Sequence, residues 1–400
     1  MLNLFHLKGK YCQCSKTLIG IFVCYKYICR FYNIIIMKKI VVMLLAGIVL
    51  SACASEKTQK GQWSVEQANQ WYSQQEWPVG CNYVPSYAIN QYEFWQQETF
   101  NPEVLDRELG LAEDLGFNTL RIYLHEGLWY ADKDGFKSRI NKFFDLAESH
   151  GIKLIVTFFT NGGNHEKEFA LGPQPEAIPG MHNSNWIPSP GRKVIDDPTQ
   201  WPRLKEYVQD ILRTYKNDDR ILYWCLCNEP ENMKAGCDVK DFMPAVYQWA
   251  WEIRPSQPLS SPVWQRPGRN GTQTKLDLVA WTCMNSDIIT FHCYSPAKQV
   301  EIAVQMFQRF GRPIICQEYL ARNYGNTFET VMPILKENKV GAINWGLINN
   351  KCNFHLPWGH KYGDPEPEVW FHDILRNDGT PYSEAEYEFI RSMTADKNIN

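Results

Sequence analysis

The sequence lacks an excess of charge of either sign. Its 400 residues include 41 Lys and Arg against 44 Asp and Glu, which leaves a formal net charge of −3 at pH 7. A nucleic-acid-binding surface needs basic residues to neutralise phosphates, so nucleic acid is not an expected partner. After residue 70 the chain also lacks repeats, low-complexity segments and blocks of like charge. Since 44% of its residues are apolar, it can bury a core, and we expect a folded domain.

The cysteines lack the spacing of a metal site. Of 13 cysteines, four precede Met37 and one is Cys53, so eight remain. Four of these lie in apolar, strand-like runs that predict buried free thiols: Cys225, Cys227, Cys293 and Cys316. An exported location still permits a disulfide among the other four, Cys81, Cys237, Cys283 and Cys352, and the sequence does not choose a pair.

The N-terminal region contains an export signal. From Met37, two lysines precede an apolar stretch over residues 41–50, which is too short to span a bilayer comfortably. Leu-Ser-Ala-Cys at residues 50–53 then resembles a bacterial lipobox. We predict a signal peptide over residues 37–52 and an exported lipoprotein anchored through Cys53 at a cell-envelope membrane, with the outer membrane expected. An ordinary signal peptide and a membrane anchor are the alternatives.

The flanking segments are assigned by composition. Residues 1–36 are rich in Cys and Ile, and Lys26 and Arg30 interrupt their apolar run. We interpret them as a misassigned upstream extension, with a second membrane helix as the alternative. Residues 53–70 are polar and predict a tether, so we expect one folded domain over residues 71–400.

Strand-like and helix-like segments alternate along that domain. Eight short apolar runs predict buried parallel strands over residues 79–83, 119–124, 154–159, 221–227, 259–264, 288–294, 313–319 and 342–347. Between them, Asn101 before Pro102 starts a helix, and apolar residues from Phe136 to Ala147 recur at helical spacing. The pattern predicts a (β/α)8 barrel. A doubly wound open sheet is the alternative, but no Gly-rich phosphate loop follows the first strand.

One connection is unusually long. Residues 161–200 carry no helix signal and are rich in Gly, Pro, Asn and His. Loops of this length in a compact domain are commonly functional. We expect this one over the C-terminal face of the barrel, with Trp186 or His182 in the wall of a cleft.

Polar or aromatic side chains lie at the ends of the predicted strands, where barrel enzymes build their active sites. They are Arg121, Asn228, Glu229, His292, Tyr294, Glu318 and Trp345. Two of them, Glu229 and Glu318, are carboxylic acids. Two acids in one cleft can divide acid and base roles, because different environments separate their pKa values. Hydrolysis of a glycosidic bond needs such a division.

The order of these residues resembles the clan A glycoside hydrolases, most closely the family 5 cellulase and mannanase group. The resemblance covers about residues 79–391 and depends on Asn-Glu-Pro at 228–230, a Glu on strand seven and a Trp on strand eight. It implies that Glu229 is the acid/base and Glu318 the nucleophile. That group usually has a His near the end of strand three, where this sequence has TFFTNGGN. Asn161 and His165 are the candidates for its place.

The resemblance also implies roles for the surrounding residues. Asn228 would bind the sugar 2-hydroxyl, and Trp345 would form the floor under the reacting sugar. Tyr294 would hydrogen-bond the nucleophile, His292 would position the acid/base or the substrate, and Arg121 would keep Glu318 ionised. We therefore expect a low pKa for Glu318 and a raised pKa for Glu229, with the carboxyls about 5–5.5 Å apart.

Aromatic residues make up 14% of the chain, and several follow predicted strands or lie in the long loop. Aromatic faces stack on the C–H faces of pyranose rings. Trp186 and Trp264 are the substrate-binding candidates, and Trp129 and Trp358 are further ones.

The sequence predicts a monomeric retaining β-glycosidase that needs no cofactor and no metal. Its expected substrate is a β-linked polysaccharide or oligosaccharide, with β-1,4 xylan, mannan or glucan as candidates. The alternative is a non-catalytic glycan-binding lipoprotein on the same fold, which loss of either acid would favour. A metal-dependent hydrolase would need His and Asp clustered at strand ends, and only His292 meets that condition.

Overall fold

The computed structural model describes residues 61–166, 170–232, 237–264 and 273–398. The predicted extension over residues 1–36, the predicted signal peptide over 37–52 and the predicted lipidation of Cys53 lie outside these ranges. Among the helices within them, none is long and apolar enough to cross a membrane.

The described residues contain nine strands, at the places predicted from the apolar runs. They are β1 (Val79–Asn82), β2 (Thr119–Tyr123), β3 (Lys153–Thr160), β4 (Ile221–Asn228), β5 (Leu259–Ser260), β6 (Pro262–Val263), β7 (Ile289–His292), β8 (Ile314–Glu318) and β9 (Gly341–Trp345). All pairings are parallel, and β1 pairs with both β2 and β9. Only Ser261 separates β5 from β6, so the two share one position and the sheet forms the predicted (β/α)8 barrel.

Helices alternate with the strands and cover the barrel. Those described are α1 (Val65–Tyr72), α2 (Gln91–Trp95), α3 (Pro102–Asp114), α4 (Glu126–Ala131), α5 (Lys133–Ser149), α6 (Arg192–Ile195), α7 (Trp201–Thr214), α8 (Phe242–Ile253), α9 (Gln273–Asn285), α10 (Ala297–Phe307), α11 (Phe328–Glu337) and α12 (Glu384–Thr394). The Asn101 side chain caps α3, as predicted, by accepting a hydrogen bond from the Val104 N–H. The apolar stripe of α5 is fully buried.

Residues 61–70, which we predicted to belong to a polar tether, instead fold against the barrel. The backbone N–H of buried Trp63 donates to the Asp287 carboxylate at 2.8 Å. Trp63 and Ala68 then pack with residues near the starts of the strands, such as Ile155 and Ile343. Trp71 of α1 packs against the same cluster, with its ring centroid 6.1 Å from that of Trp63, so the segment covers the N-terminal end of the barrel.

The long connection after β3 lies over the C-terminal end of the barrel, as expected. The backbone groups of Thr160 and Ser189 exchange two hydrogen bonds, at 2.9 and 3.1 Å, which fixes the loop to the end of β3. The expectation of no helix over residues 161–200 is wrong, because the segment contains α6 and a 3-10 turn at Pro198–Gln200. Both are too short to produce a periodic pattern.

The eight cysteines within the described residues are all free and buried. This confirms the prediction of buried thiols, and none of the four candidates for a disulfide is paired.

Candidate active site

The carboxyl ends of the strands open into a cleft of about 860 Å3. Seven of the nine predicted site residues line it: Asn228, Glu229, Trp264, Tyr294, Glu318, Trp345 and Trp186. The other two, Arg121 and His292, are buried beneath the cleft and contact its acids. The long loop contributes both Trp186 and His182 to the wall, as predicted.

Glu318, the last residue of β8, accepts hydrogen bonds from three side chains. Arg121 Nη1 lies 2.7 Å from Oε1, and the Tyr123 hydroxyl donates to the same oxygen at 3.2 Å. The Tyr294 hydroxyl donates to Oε2 at 2.7 Å. Each of these contacts favours the ionised carboxylate over the neutral acid.

Arg121 connects Glu318 to the first four strands. Its guanidinium also donates to Asn82 Oδ1 at 3.0 Å, Thr157 Oγ1 at 3.0 Å and Asn228 Oδ1 at 2.6 Å. A guanidinium supplies several donors in one plane, which a lysine ammonium cannot do. Arg121 thereby fixes the Asn228 amide and the Glu318 carboxylate relative to each other.

Glu229 follows β4 directly and has a backbone φ of 46°. Non-glycine residues rarely adopt this left-handed conformation, and such strain concentrates at functional sites. Asn232 Nδ2 donates to Glu229 Oε2 at 2.9 Å, and His292 Nδ1 lies 2.8 Å from Oε1. The Glu229 carboxyl therefore contacts one amide and one imidazole, whereas Glu318 contacts a guanidinium.

His292 lies between the two acids. Its Nδ1 is 2.8 Å from Glu229 Oε1 and 3.2 Å from Glu318 Oε2. One oxygen of each carboxylate and one His292 nitrogen all lie within 4.8 Å of one another. The pairing of β7 with β8 shifts register between Phe291 and His292, and irregularities of this kind re-aim a side chain. The acids thus form one close pair.

The pKa values of the three groups are shifted by burial. Burial raises the pKa of Glu229 to about 7, although the Asn232 hydrogen bond opposes the shift. It lowers the pKa of His292 to about 4, so this imidazole is neutral at pH 7. Burial also raises the pKa of Glu318, so the predicted low value is wrong. Loss of water outweighs the opposing effects of His292, Arg121 and Tyr294 on that carboxyl.

The same three residues are the only described group of three or more His, Cys, Asp or Glu side chains whose ligand atoms converge. Glu229, His292 and Glu318 each offer one atom within the 4.8 Å limit. Arg121, however, already places a positive charge 2.7 Å from Glu318 Oε1. A cation there would be repelled, so the donor set fits an acid pair better than a divalent metal.

The aromatic candidates divide between the cleft and the core. Trp345, at the end of β9, has ring centroid distances of 6.0 Å to Trp186 and 6.2 Å to Tyr123. Trp264 is held by its backbone N–H, which donates to the buried Glu231 carboxylate at 2.5 Å. Trp358 also lines the cleft. Trp129 packs between Tyr130 and Tyr207 and is a core residue.

Of the two candidates for the missing histidine of strand three, one reaches the cleft. Asn161 is buried, and its amide nitrogen donates to the carbonyls of Pro230 and Cys237. It therefore fixes the loop after β4. His165 lines the cleft, with Nε2 3.1 Å from the Asn161 carbonyl oxygen.

Sequence reasoning missed Tyr123, Asn232 and His372 as site residues. Tyr123 is two residues after Arg121 and so lies on the same face of β2, which the period of a strand could have revealed. Asn232 is three residues after Glu229, in a turn with no regular pattern. His372 enters the cleft from a segment after β9, and nothing in the local sequence indicates that path.

A model of the family described as Cellulase (glycosyl hydrolase family 5) matches residues 87–351. The matched span includes both acids and Trp345, and it ends before Trp358 and His372. No curated protein matches the sequence significantly.

Solved structures share the fold at low sequence identity. One is the GH5_18 protein from Streptomyces cattleya in complex with GlcNAc, with 12% identity, a TM-score of 0.57 and 80% coverage of each chain. Another is an exo-β-1,4-mannosidase from Opitutaceae bacterium strain TAV5, with 16% identity, a TM-score of 0.54 and coverage of 80% of this chain and 60% of that one. The endo-β-1,4-mannanase from Thermotoga petrophila has 16% identity, a TM-score of 0.52 and coverage of 81% and 77%.

Proposed function

The chain belongs to the cellulase family, glycosyl hydrolase family 5, and is a glycoside hydrolase; from this premise we propose that it is a retaining β-glycosidase acting on a β-linked polysaccharide or oligosaccharide. The single observation that carries the proposal is the close pair of acids. One oxygen of Glu229 and one of Glu318 lie within 4.8 Å, with His292 Nδ1 between them. Inverting enzymes separate their carboxyls by about 6.5–9.5 Å to admit a water molecule.

In the first step, Glu318 attacks the anomeric carbon and forms a covalent glycosyl-enzyme. Glu229 gives its proton to the leaving oxygen as the glycosidic bond breaks. A pKa of about 7 keeps much of the Glu229 population protonated at neutral pH. Three side chains donate hydrogen bonds to the Glu318 carboxylate and favour its ionised form for the attack.

In the second step, Glu229 acts as a base. It removes a proton from water, the water oxygen attacks the anomeric carbon, and the bond to Glu318 breaks. Because Glu318 is uncharged while it is esterified, the pKa of Glu229 falls and favours this role. Two displacements at one carbon return the original β configuration.

The remaining residues bind and orient the sugar in this proposal. Asn228 is fixed by Arg121 beside the pair and would contact the 2-hydroxyl. Trp345 would carry the reacting ring, with Trp186 and Trp264 as further platforms. His292, neutral and between the acids, would position Glu229.

A β-1,4-mannan-type substrate is our first choice among xylan, mannan and glucan. What supports this choice is that two of the proteins with this fold are a mannosidase and a mannanase by name. The test is a panel of β-1,4 xylan, mannan and glucan assayed by release of reducing sugar, with the anomer of the first product followed by NMR. We expect hydrolysis of a β-linked glycan with a β product. An α first product would rule out retention.

We also propose that the enzyme is an exported monomer anchored through a lipidated Cys53. Labelled palmitate should enter the wild-type protein and not Cys53→Ser, and the variant should leave the membrane fraction. Incorporation into both proteins would contradict the anchor.

A further inference from the structure

Three side chains at the cleft have no part in the two chemical steps proposed above. His182, Trp358 and His372, here named the histidine wall, all line the cleft. Two of them, Trp358 and His372, lie beyond residue 351, where the match to the family ends. The wall adjoins the acid pair through Tyr294, whose hydroxyl binds Glu318.

The rings of the wall pack against one another and against Tyr294. His372 has ring centroid distances of 5.3 Å to His182 and 5.8 Å to Trp358. The Tyr294 ring lies 5.5 Å from His372 and 5.0 Å from Trp358. Trp358 is nevertheless 43% exposed, which is unusual for a large aromatic side chain inside such a cluster. Its exposed surface is available for stacking on a sugar ring.

The two imidazoles are fixed in one tautomer. His182 Nδ1 lies 2.8 Å from the Leu356 carbonyl oxygen, and His372 Nδ1 contacts the carbonyl oxygen of Leu320. A carbonyl only accepts, so in each ring Nδ1 carries the proton. Burial lowers the pKa of His182 to about 4 and that of His372 well below its usual value, so both rings are neutral. Nε2 of each ring is then an acceptor of hydrogen bonds.

The wall is rigidly supported. Arg322, paired with Glu386, donates to the carbonyl oxygens of His372 and Asp373 at 2.7 and 3.1 Å. On the other side, His360 Nδ1 lies 2.7 Å from the Gly180 carbonyl oxygen and so ties the segment after β9 to the long loop. Binding groups held in place before a ligand arrives lose little entropy when it binds.

We propose that the histidine wall is a sugar-binding subsite next to the reacting one, in which Trp358 stacks on a pyranose ring and the two imidazole nitrogens accept hydrogen bonds from its hydroxyl groups. This inference rests on the proposed function and extends it to the neighbouring sugar. Two acceptors require donors on the ligand, and a neutral sugar offers hydroxyl groups.

The experiment compares substrates of two lengths. The rate constant kcat/KM is measured on an aryl β-glycoside with one sugar and on oligosaccharides of the same sugar, for wild type and variants. Trp358→Ala should lower kcat/KM on oligosaccharides about 10- to 100-fold, and His372→Asn about tenfold. The loss on the aryl glycoside should be at least several times smaller, because only the oligosaccharides place a ring on the wall.

Matched variants separate binding from folding. His372→Asn and His182→Asn can each keep the donor to the backbone carbonyl while removing the acceptor at Nε2. His372→Gln, which places a polar group near Nε2, and Trp358→Phe, which keeps an aromatic face, should each recover part of the lost kcat/KM. Tyr362→Ala is the control on the same segment, since Tyr362 is 82% exposed and outside the lining of the cleft.

Binding measurements distinguish the two proposals. The affinity of an oligosaccharide for the Glu318→Ala protein is measured by calorimetry, with and without Trp358→Ala. If the wild type hydrolyses no β-glycoside but Trp358→Ala still weakens oligosaccharide binding, the proposed function fails and the subsite stands. If hydrolysis occurs and the wall variants lower kcat/KM equally on both substrate lengths, or not at all, the subsite is wrong.

Discussion

Glu318 and Glu229 lie side by side but are held in different ways. Glu318 ends a buried strand and accepts hydrogen bonds from one guanidinium and two phenol hydroxyls. Glu229 lies just past its strand in a left-handed conformation, and its carboxyl contacts Asn232 and His292. Burial raises both pKa values, so removal from water alone does not distinguish the acids. The two acids differ in the side chains that contact them. Glu318 has a charged donor, Arg121, at 2.7 Å, whereas Asn232 and the neutral His292 contact Glu229.

Removing each acid should give the largest and most contrasting effects. Glu318→Ala should lower kcat roughly 10⁵-fold on every substrate, because no bond to the sugar can form. Glu229→Ala should lose roughly 10²- to 10⁴-fold on polysaccharide, which needs a protonated leaving oxygen, and less than about tenfold on aryl glycosides with good leaving groups. Glu98→Ala, at an exposed position, is the control. Equal losses for both acid variants on both substrate types would contradict the assignment.

Removing the charged donor should damage stability as well as catalysis. Arg121→Met leaves the buried Glu318, Asn82 and Asn228 without their shared donor. We expect the free energy of unfolding to fall by about 3–5 kcal/mol, measured by denaturant titration. Lys298→Met, which removes an exposed ion pair with Glu301, should change it by less than about 1 kcal/mol. If Arg121→Met lowered the free energy of unfolding by less than about 1 kcal/mol, the charge of Arg121 would not be needed for stability.

The two phenols should contribute unequally. Tyr294→Phe removes the 2.7 Å hydrogen bond to Oε2, which no other side chain replaces at that length, and should lower kcat/KM about 10- to 100-fold. Tyr123→Phe removes a 3.2 Å hydrogen bond to Glu318 Oε1, which Arg121 also binds, and should lower kcat/KM about 2- to 10-fold. The acidic limb of the pH profile should move upward in Tyr294→Phe, since the ionised form of Glu318 loses a donor. The reverse order of losses would contradict this ranking.

The smallest expected effect concerns the pH profile. Glu229 must be protonated to act as the acid, so kcat/KM should fall as the pH rises through its pKa of about 7. Asn232→Ala removes a donor that favours the ionised carboxyl, so the pKa of Glu229 should rise. The alkaline limb should therefore move upward by less than about one pH unit, while the acidic limb stays in place. A downward shift of the alkaline limb would contradict the claim that Asn232 stabilises the ionised Glu229 carboxyl.

The barrel was predictable because its strands are short, continuous apolar runs separated by amphipathic helices. The acids and Arg121 were also predictable, since the carboxyl ends of parallel strands share one end of a barrel. The start of the domain was not predictable, because Trp63, Val65 and Ala68 are isolated apolar residues in a mostly polar segment. The pKa of Glu318 could not be read from its donors alone, since its burial depends on residues from the whole cleft.

The histidine wall shows where sequence reasoning stops. His182 lies in the long loop and His372 after β9, so their contact depends on how two irregular segments cross. Neither segment has a period that would orient a side chain. The loop was expected near the cleft because of its length, but its partner from the C-terminal segment was found only in the structure.

The central claim is that Glu318 attacks the sugar and Glu229 transfers the proton. Azide tests it most directly, because this small anion replaces whichever carboxylate has been removed. With Glu229→Ala and an activated aryl β-glycoside, azide should attack the glycosyl-enzyme and give the β-glycosyl azide. With Glu318→Ala it should attack the substrate itself and give the α-glycosyl azide, as identified by NMR. An α product from Glu229→Ala and a β product from Glu318→Ala would show that the two roles are reversed.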